Sequence, residues 1–270
     1  MLIGNKEFDF DKNAYVMGIL NITPDSFSDG GKWNEIDKTL KHVEQMINDG
    51  ADIIDIGGES TRPGYVPVTP EEEVERIVPF IEKINENFSV AISVDTYKAY
   101  VAENAIKAGA HMINDIWGFK GDKDMAKVVA RYNVPYCLMH NRDNKLKPYK
   151  DFLEDVVNDL KESVDLGILA GVTKDKIILD PGIGFGKTLE DNLCLMNNLD
   201  KIKEMGYPIL LGTSRKSMIG LTLDLPVEER LEGTLATTVI GLAKGCSIFR
   251  VHDVKENKRV IKMTKAIMEA

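Results

Sequence analysis

The chain has 270 residues, of which 43% are hydrophobic and 29% charged, a balance typical of a globular protein with an ample core. Its formal net charge of −9 argues against a nucleic-acid partner, which requires a basic surface. No apolar run approaches the roughly 20 residues that span a bilayer, and the N-terminus lacks an apolar signal core. The sequence therefore predicts a cytoplasmic protein with no membrane partner.

Short apolar runs alternate along the chain with longer stretches of helical periodicity. Continuous apolarity over four to six residues is typical of strands buried on both faces of a parallel sheet. Eight runs have this character: residues 15–20, 53–56, 90–94, 111–114, 136–139, 177–180, 208–212 and 247–251. The best helix start between them is Thr69-Pro70-Glu71, a capping threonine, then proline, then acids near the positive end of the helix dipole.

Eight strands that alternate with helices are the count of an α/β fold of the (β/α)8 TIM-barrel type, in which residues 1–270 form a single domain. A doubly wound sheet of eight strands fits the same pattern. In a barrel, the active site lies at the carboxyl ends of the strands. Every predicted strand here ends in polar, small or charged residues, whereas the links that enter the strands are plain turns.

The strand-end residues separate by charge. Asp95, Asp115 and Asp180 offer carboxylates, which accept hydrogen bonds and suit a heterocycle rich in N–H groups. Arg250 and His252 lie two apart on one strand, so both point to the same side and can hold an anion such as phosphate. Each residue also has a plainer interpretation, because a strand-end aspartate more often caps a helix and an Arg–His pair can be an ordinary surface pair.

The stretch LDPGIGFGKT, residues 179–188, resembles a phosphate-binding P-loop at first sight. The P-loop pattern requires glycine where Pro181 stands, and proline has no N–H to offer a phosphate. Lys187 likewise stands where the dinucleotide-binding pattern requires its third glycine. The stretch is therefore a glycine-rich turn of another kind, in which Gly182, Gly184 and Gly186 either turn the chain or let backbone approach a ligand.

Taken in order, eight motifs resemble the dihydropteroate synthase family: MGILNITPDSFSDGG, IDIGGESTRPG, SVDT, NDI, LMHN, DPGIGFGK, GTSRKS and RVHDV. The match runs from about Met17 to Val254. The resemblance implies an enzyme, a transferase of folate biosynthesis. It joins a dihydropterin that carries a CH2-pyrophosphate arm to 4-aminobenzoate and releases pyrophosphate. These small molecules are its expected partners, together with a second copy of the chain in a homodimer.

The resemblance also assigns roles to residues. The implied pterin contacts are Asp95, Asn114, Ile116, Met139, Asp180, Phe185 and Lys216. The implied pyrophosphate contacts are Asn21, Thr61, Arg250 and His252, with the cofactor Mg2+ on Asn21 and Asp29. The implied 4-aminobenzoate contacts are Phe27, Arg62, Pro63, Phe185, Lys216 and Ser217. The implied catalytic residues are Asn21, Asp29, Arg62, Lys216, Arg250 and His252.

Two other functions fit parts of the pattern. A pterin-binding methyltransferase barrel of the corrinoid-linked kind shares the carboxylate and amide floor, although STRPG and SRKS count against it. A non-catalytic ligand-binding barrel would also keep the fold, although the intact Asn21, Asp29, Arg62, Lys216, Arg250 and His252 speak against lost activity.

Overall fold

The computed structural model describes residues 1–22, 31–59 and 68–270. The strands among them are β1 (Leu2–Ile3), β2 (Lys6–Glu7), β3 (Tyr15–Asn21), β4 (Ile53–Gly57), β5 (Ala91–Asp95), β6 (Met112–Asp115), β7 (Tyr136–Met139), β8 (Ile177–Asp180), β9 (Leu210–Leu211) and β10 (Ile248–Val251). The helices are α1 (Gly31–Asn48), α2 (Pro70–Asn87), α3 (Ala99–Lys107), α4 (Met125–Tyr132), α5 (Phe152–Leu169), α6 (Leu189–Asn197), α7 (Leu199–Lys203), α8 (Ser217–Leu223), α9 (Leu231–Ala243) and α10 (Val254–Met268).

The strands β3 to β10 form one parallel sheet in the order β8-β7-β6-β5-β4-β3-β10-β9. Its two outer strands also meet, because Leu179 of β8 pairs in parallel with Ile209 and donates its N–H to the Pro208 carbonyl at 2.9 Å. The sheet thus closes on itself, which confirms the predicted TIM barrel and makes the doubly wound alternative wrong. Each of the eight predicted runs coincides with one barrel strand to within two residues.

Alternate residues of each strand face opposite sides of the barrel wall. The outward residues, such as Ile54, Ile92 and Leu179, belong to a large apolar cluster packed beneath the helices. The inward residues nearest the start of each strand form a second cluster, which includes Ile53 and Ile178. Two residues further on, the inward positions of five strands are polar, so much of the barrel interior changes from apolar to polar toward the carboxyl ends of the strands. These positions are Asp55, Ser93, Asn114, Asp180 and Arg250.

A two-stranded antiparallel hairpin, β1 with β2, precedes the barrel. Ile3, Phe8 and Phe10 from this segment join the inner apolar cluster. The Phe8 ring lies 4.7 Å from that of Tyr15, at the start of the first barrel strand. The hairpin segment therefore covers the amino-terminal end of the barrel and leaves the carboxyl end for a site.

The predicted start of α2 is confirmed, because the Thr69 hydroxyl accepts a hydrogen bond from the Glu72 N–H at 3.2 Å and Pro70 occupies the first turn. In the described ranges, no helix combines the length and the apolarity that a membrane crossing needs.

Candidate active site

The floor of the polar half of the barrel is an ion-pair network between three strands. Arg250 of β10 donates from Nε to Asp55 Oδ2 at 2.6 Å, and from Nη2 to Asp95 Oδ2 at 2.8 Å. Burial raises the pKa of Asp95 to about 7, with Arg250 opposing the rise and the negative charge of Asp55 adding to it. Burial acts to lower the pKa of Arg250, but the two carboxylates outweigh it and raise that pKa.

Two further polar side chains complete the floor. Asn114 of β6 donates from Nδ2 to Asp55 Oδ2 at 3.1 Å. Asp180 of β8 accepts the Gly182 N–H at 2.7 Å through Oδ1. Burial raises the pKa of Asp180 to about 6, although the Gly182 N–H and the nearby cation of Lys216 both oppose this. The floor thus presents acceptors whose charge is only partly compensated by the protein.

Two glycines keep space open beside these carboxylates. A methyl group on Gly212 would stand 3.9 Å from both Asp180 Oδ2 and Arg250 Cβ. A methyl group on Gly57 would stand 3.7 Å from both Asn21 Oδ1 and the Cβ of Asp95. Because neither glycine carries a side chain, space stays open next to the side chains of Asp180 and Asp95.

Lys216 and Phe185 come together above this floor. The Lys216 ammonium lies 4.1 Å from the centre of the Phe185 ring, within the range of a cation–π contact. Burial lowers the pKa of Lys216 to about 8, and the like charge of Arg250 contributes, while Asp180 and Asp95 oppose it. Ser217, at the first residue of α8, is exposed. Lys216 therefore contacts Phe185 of the glycine-rich turn and also interacts electrostatically with Asp180 and Asp95 of the floor.

Arg250 and His252 occupy different surroundings although they lie two residues apart. Arg250 points into the floor, whereas His252 is exposed at the rim, where its Nδ1 lies 2.9 Å from Ser214 Oγ. The His252 N–H also donates to that hydroxyl, at 3.1 Å. The predicted anion site thus has one cation embedded among carboxylates and one imidazole at the edge.

The glycine-rich turn of residues 182–186 is shaped by close backbone packing. A methyl group on Gly182, where φ is +70°, would stand 1.9 Å from the His140 carbonyl oxygen. One on Gly186, where φ is +56°, would stand 2.3 Å from the Arg142 carbonyl oxygen. The glycines therefore let the turn pack against the segment that follows β7, which is the plainer of the two interpretations given to them.

Lys187, which gives this stretch its likeness to a P-loop, contacts groups of the turn itself. Its ammonium lies 2.8 Å from the Gly182 carbonyl, 3.0 Å from the Phe185 carbonyl and 2.9 Å from His140 Nδ1. Burial lowers the pKa of His140 to about 4, so its neutral ring accepts this proton while Nε2 faces Asp159 at 3.3 Å. The lysine that would bind phosphate in a P-loop instead stabilises its own turn.

Asp115, predicted as a site carboxylate, is not part of the site. It lies one residue beyond Asn114 and so points outward, fully buried. It accepts the N–H groups of Trp117 at 2.8 Å and Phe119 at 2.9 Å, together with the Tyr136 hydroxyl. Its role is to organise the loop after β6.

Arg215, in the GTSRKS motif, pairs through Nε with Asp253 at 3.0 Å. Of the other predicted pterin contacts, Ile116 and Met139 are both buried; Met139 lies two residues after the inward Cys137.

Several predicted residues lie outside the described ranges, and their roles stay predictions. These are Phe27, Asp29, Thr61, Arg62 and Pro63. The described residues beside the second gap are held by a buried ion cluster. Lys98 Nζ contacts Glu59 at 2.5 Å and Glu73 at 2.6 Å, and donates to the Val68 carbonyl at 2.8 Å. Arg76 donates to the Gly58 carbonyl at 3.0 Å.

The sequence profile described as pterin binding enzyme matches residues 17–252. The chain is 66% identical to the dihydropteroate synthase of Clostridium beijerinckii over 99% of both chains. It belongs to the dihydropteroate synthase family of pterin-binding enzymes. The family resemblance drawn from the eight motifs is thus confirmed, and with it the function as a transferase that makes dihydropteroate.

Solved structures of the family share the fold. A dihydropteroate synthase from Clostridium difficile, determined in the presence of pteroic acid, superposes with a TM-score of 0.94 at 50% identity, covering 98% of this chain and 100% of that one. The Xanthomonas albilineans dihydropteroate synthase with 4-aminobenzoic acid superposes with a TM-score of 0.90 at 38% identity, covering 97% of this chain and 95% of that one.

The residue that sequence reasoning missed is Asp55. It is fully buried and accepts hydrogen bonds from both Arg250 and Asn114. It lies inside an apolar run, two residues after the inward Ile53, and pairs across the sheet with Ser93. Period-two alternation alone would have placed it inside the barrel, two residues below the carboxyl end of β4.

Proposed function

We propose that this site condenses 6-hydroxymethyl-7,8-dihydropterin pyrophosphate with 4-aminobenzoate, with Asp95, Asn114 and Asp180 binding the pterin ring. The observation that carries this proposal is the floor of inward acceptors on three strands. Pterins present an amino group and ring N–H groups along one edge, and ionised carboxylates only accept hydrogen bonds. Lys216 would donate to the ring acceptors, and Ile116, Met139 and Phe185 would pack against the ring.

The pyrophosphate arm would lie toward the rim. His252 would donate to the arm at the rim, and Arg250 would approach it from the floor. Asn21 and Thr61 are the other predicted contacts of the arm. Binding an anion at the rim rather than on the floor keeps it away from the carboxylates of Asp55 and Asp95, to which Arg250 already donates.

Mg2+ would be held by Asn21 and Asp29. The donor set fits in chemical type, because Asn21 presents a carboxamide oxygen at the end of β3 and Mg2+ prefers oxygen ligands. In the ranges that the structure describes, no three His, Cys, Asp or Glu side chains converge on one point. Asp29 lies outside those ranges. When bound, the ion would neutralise charge on the pyrophosphate.

The 4-aminobenzoate site would be formed by Phe27, Arg62, Pro63, Phe185, Lys216 and Ser217. The contact between Lys216 and Phe185 supports this, since it places an ammonium and an aromatic face side by side. An ammonium can meet a carboxylate and an aromatic ring can stack on a benzoate ring. The Xanthomonas albilineans relative with 4-aminobenzoic acid supports the same substrate class.

The chemistry requires no protein nucleophile. The methylene C–O bond breaks and its electron pair leaves with pyrophosphate, so that a cation forms at the methylene carbon and is stabilised by the electron-rich dihydropterin. The arylamine nitrogen then forms the new C–N bond and loses a proton. Arg250 and His252 would stabilise the charge that develops on the leaving group. The floor residues would hold the methylene carbon in line with the amine.

We also propose a cytoplasmic homodimer. The helix α9 exposes apolar side chains, with Val239 36% and Ile240 47% accessible in the single chain. An apolar helix face of this kind suits a contact with a second copy. Sedimentation equilibrium would test this, and a monomer at micromolar concentration would contradict it.

A single-turnover assay with both substrates tests the proposed function. We expect dihydropteroate and pyrophosphate to form in equal amounts. Removal of divalent cations with a chelator should abolish turnover but leave the affinity for a pterin without pyrophosphate unchanged, and added Mg2+ should restore turnover. Pterin binding without pyrophosphate release would favour a corrinoid-linked methyltransferase, and binding of both substrates without product would favour a non-catalytic barrel.

A further inference from the structure

Asp55 lies beneath the proposed pterin site and is fully buried. A single oxygen, Oδ2, accepts both the Arg250 Nε–H at 2.6 Å and the Asn114 Nδ2–H at 3.1 Å. The other oxygen, Oδ1, is buried without a partner among the described residues. A side chain in this position does not face the mouth of the barrel, yet it contacts two of the residues that do.

The contact with Asn114 has a chemical consequence for the site. An amide side chain carries one acceptor and one donor end, and rotation by half a turn exchanges them. An aspartate paired with a guanidinium offers only acceptors, so it selects the orientation in which Asn114 turns its NH2 group downward. Asn114 Oδ1 then points away from Asp55 as an acceptor for a substrate N–H group.

The contact with Arg250 fixes a second element of the floor. Asp55 holds Nε of the guanidinium while Asp95 holds Nη2, so the planar group is oriented from two sides. Loss of the Asp55 charge would leave Asp95 as its only carboxylate partner among these floor residues. The guanidinium could then rotate toward Asp95 and withdraw that carboxylate from a ligand.

We propose that Asp55 is a positioning residue that sets the hydrogen-bonding polarity of the pterin floor through Asn114 and the orientation of Arg250. This inference rests on the proposed function, because it assigns Asn114 to the pterin ring. It predicts that Asp55 determines affinity for the ring without touching it.

The test is a double-mutant cycle with Asp55→Asn and Asn114→Ala, read by calorimetry with a pterin that lacks pyrophosphate. An asparagine at position 55 keeps the shape but can donate, so it no longer selects one orientation of Asn114. We expect Asp55→Asn alone to weaken binding about 10- to 100-fold, the range for a mispaired buried hydrogen bond. In the Asn114→Ala background, the same change should weaken binding clearly less, by about threefold to tenfold, because only the part that acts through Arg250 remains and interacting sites are not additive.

Ser93→Ala is the matched control. Ser93 pairs with Asp55 across the sheet, and its buried hydroxyl has no partner within the described ranges. We expect its removal to leave pterin affinity within about twofold of wild type. Equal effects of Asp55→Asn in the two backgrounds would show a general structural role and overturn the proposal. Wild-type affinity in Asp55→Asn would also overturn it.

A measurement on the unaltered protein covers the case in which Asp55→Asn does not fold. The side-chain amide protons of Asn114, assigned in NMR spectra by their absence in Asn114→Ala, should be protected from exchange in the free protein. Rapid exchange would contradict the amide orientation. The proposed function fails separately, through a wild-type protein that neither binds the pterin nor releases pyrophosphate.

Discussion

Asp180→Asn should make the folded protein more stable while it weakens pterin binding. Burial raises the pKa of this carboxyl from its ordinary 3.8 to about 6, despite the opposing cations of Lys216, Lys187 and Arg250. A difference of about two pKa units corresponds to about 3 kcal/mol, since one unit is worth roughly 1.4 kcal/mol. The ionised carboxylate therefore destabilises the folded state by that amount above pH 6.

The sign of the effect follows from proton binding. The folded chain holds the Asp180 proton more tightly than the unfolded chain, so stability falls as pH rises from about 4 through about 6. Asparagine has no charge to bury, and its Oδ1 can still accept the Gly182 N–H. The variant should therefore melt about 6 °C above wild type at pH 8, given roughly 2 °C per kcal/mol for a chain of this size. The difference should vanish near pH 4.

Two measurements check this prediction. Thermal unfolding between pH 4 and pH 8 gives the difference in melting temperature, with Asp11→Asn, an exposed aspartate, as the matched control expected to change nothing. Calorimetry with a pterin lacking pyrophosphate should show a loss of about 2–4 kcal/mol in binding, the range for a lost charge-assisted bond. A variant that melts below wild type at pH 8 would refute the reasoning from burial, and one that binds pterin normally would remove Asp180 from the site.

Two further pairs of variants compare residues that look equivalent in the sequence but have different surroundings in the structure. Arg250→Ala should weaken binding of a pterin with or without pyrophosphate, because it leaves the carboxylates of Asp55 and Asp95 without their cation. His252→Ala should weaken binding only of the pyrophosphate-bearing substrate, by about tenfold. Calorimetry with both ligands tests this, and equal loss of affinity for the bare pterin in both variants would contradict the separation. Gly182→Ala should fail to accumulate as folded protein because its methyl group would meet the His140 carbonyl at 1.9 Å. Gly206→Ala, at a similar φ of +77° but with Lys174 Nζ at 3.9 Å as the nearest atom to an added methyl group, should lose only about 1 to 2 kcal/mol of stability in thermal unfolding. Comparable melting of the two variants would show that the turn relaxes.

The barrel could be predicted from the sequence because its signal is local. Each strand is a short apolar run buried on both faces, and the runs recur with helices between them. The helix start at Thr69 and Pro70 likewise depends only on adjacent residues. Strand order follows almost automatically in such a fold, since consecutive parallel strands are neighbours in space. The amino-terminal hairpin gives no comparable signal, because its strands have two residues each.

The candidate site was predicted in its positions but not in its contacts. Asp95, Asn114 and Asp180 lie at the carboxyl ends of strands, so their placement at one end of the barrel depends only on the fold. The pairing of Arg250 with Asp55 joins residues 195 apart in the chain, and no local pattern indicates it. Asp115 was misplaced for a related reason: it directly follows Asn114, and a shift of one residue along a strand reverses the side of the wall that a side chain faces.

The distribution of charge in the barrel accounts for a substrate with two unlike ends. Deep in the interior, Asp55, Asp95 and Asp180 outnumber the cations of Arg250 and Lys216, and two donor groups of Arg250 are already used by the first two carboxylates. Acceptors in excess favour a ring with N–H donors at that depth, and they repel an anion. A phosphate group is therefore favoured only nearer the rim, beyond these carboxylates. In the proposed function, the floor would thus set the orientation of the substrate, with the ring inward and the arm outward, before any group that takes part in the transfer acts on it.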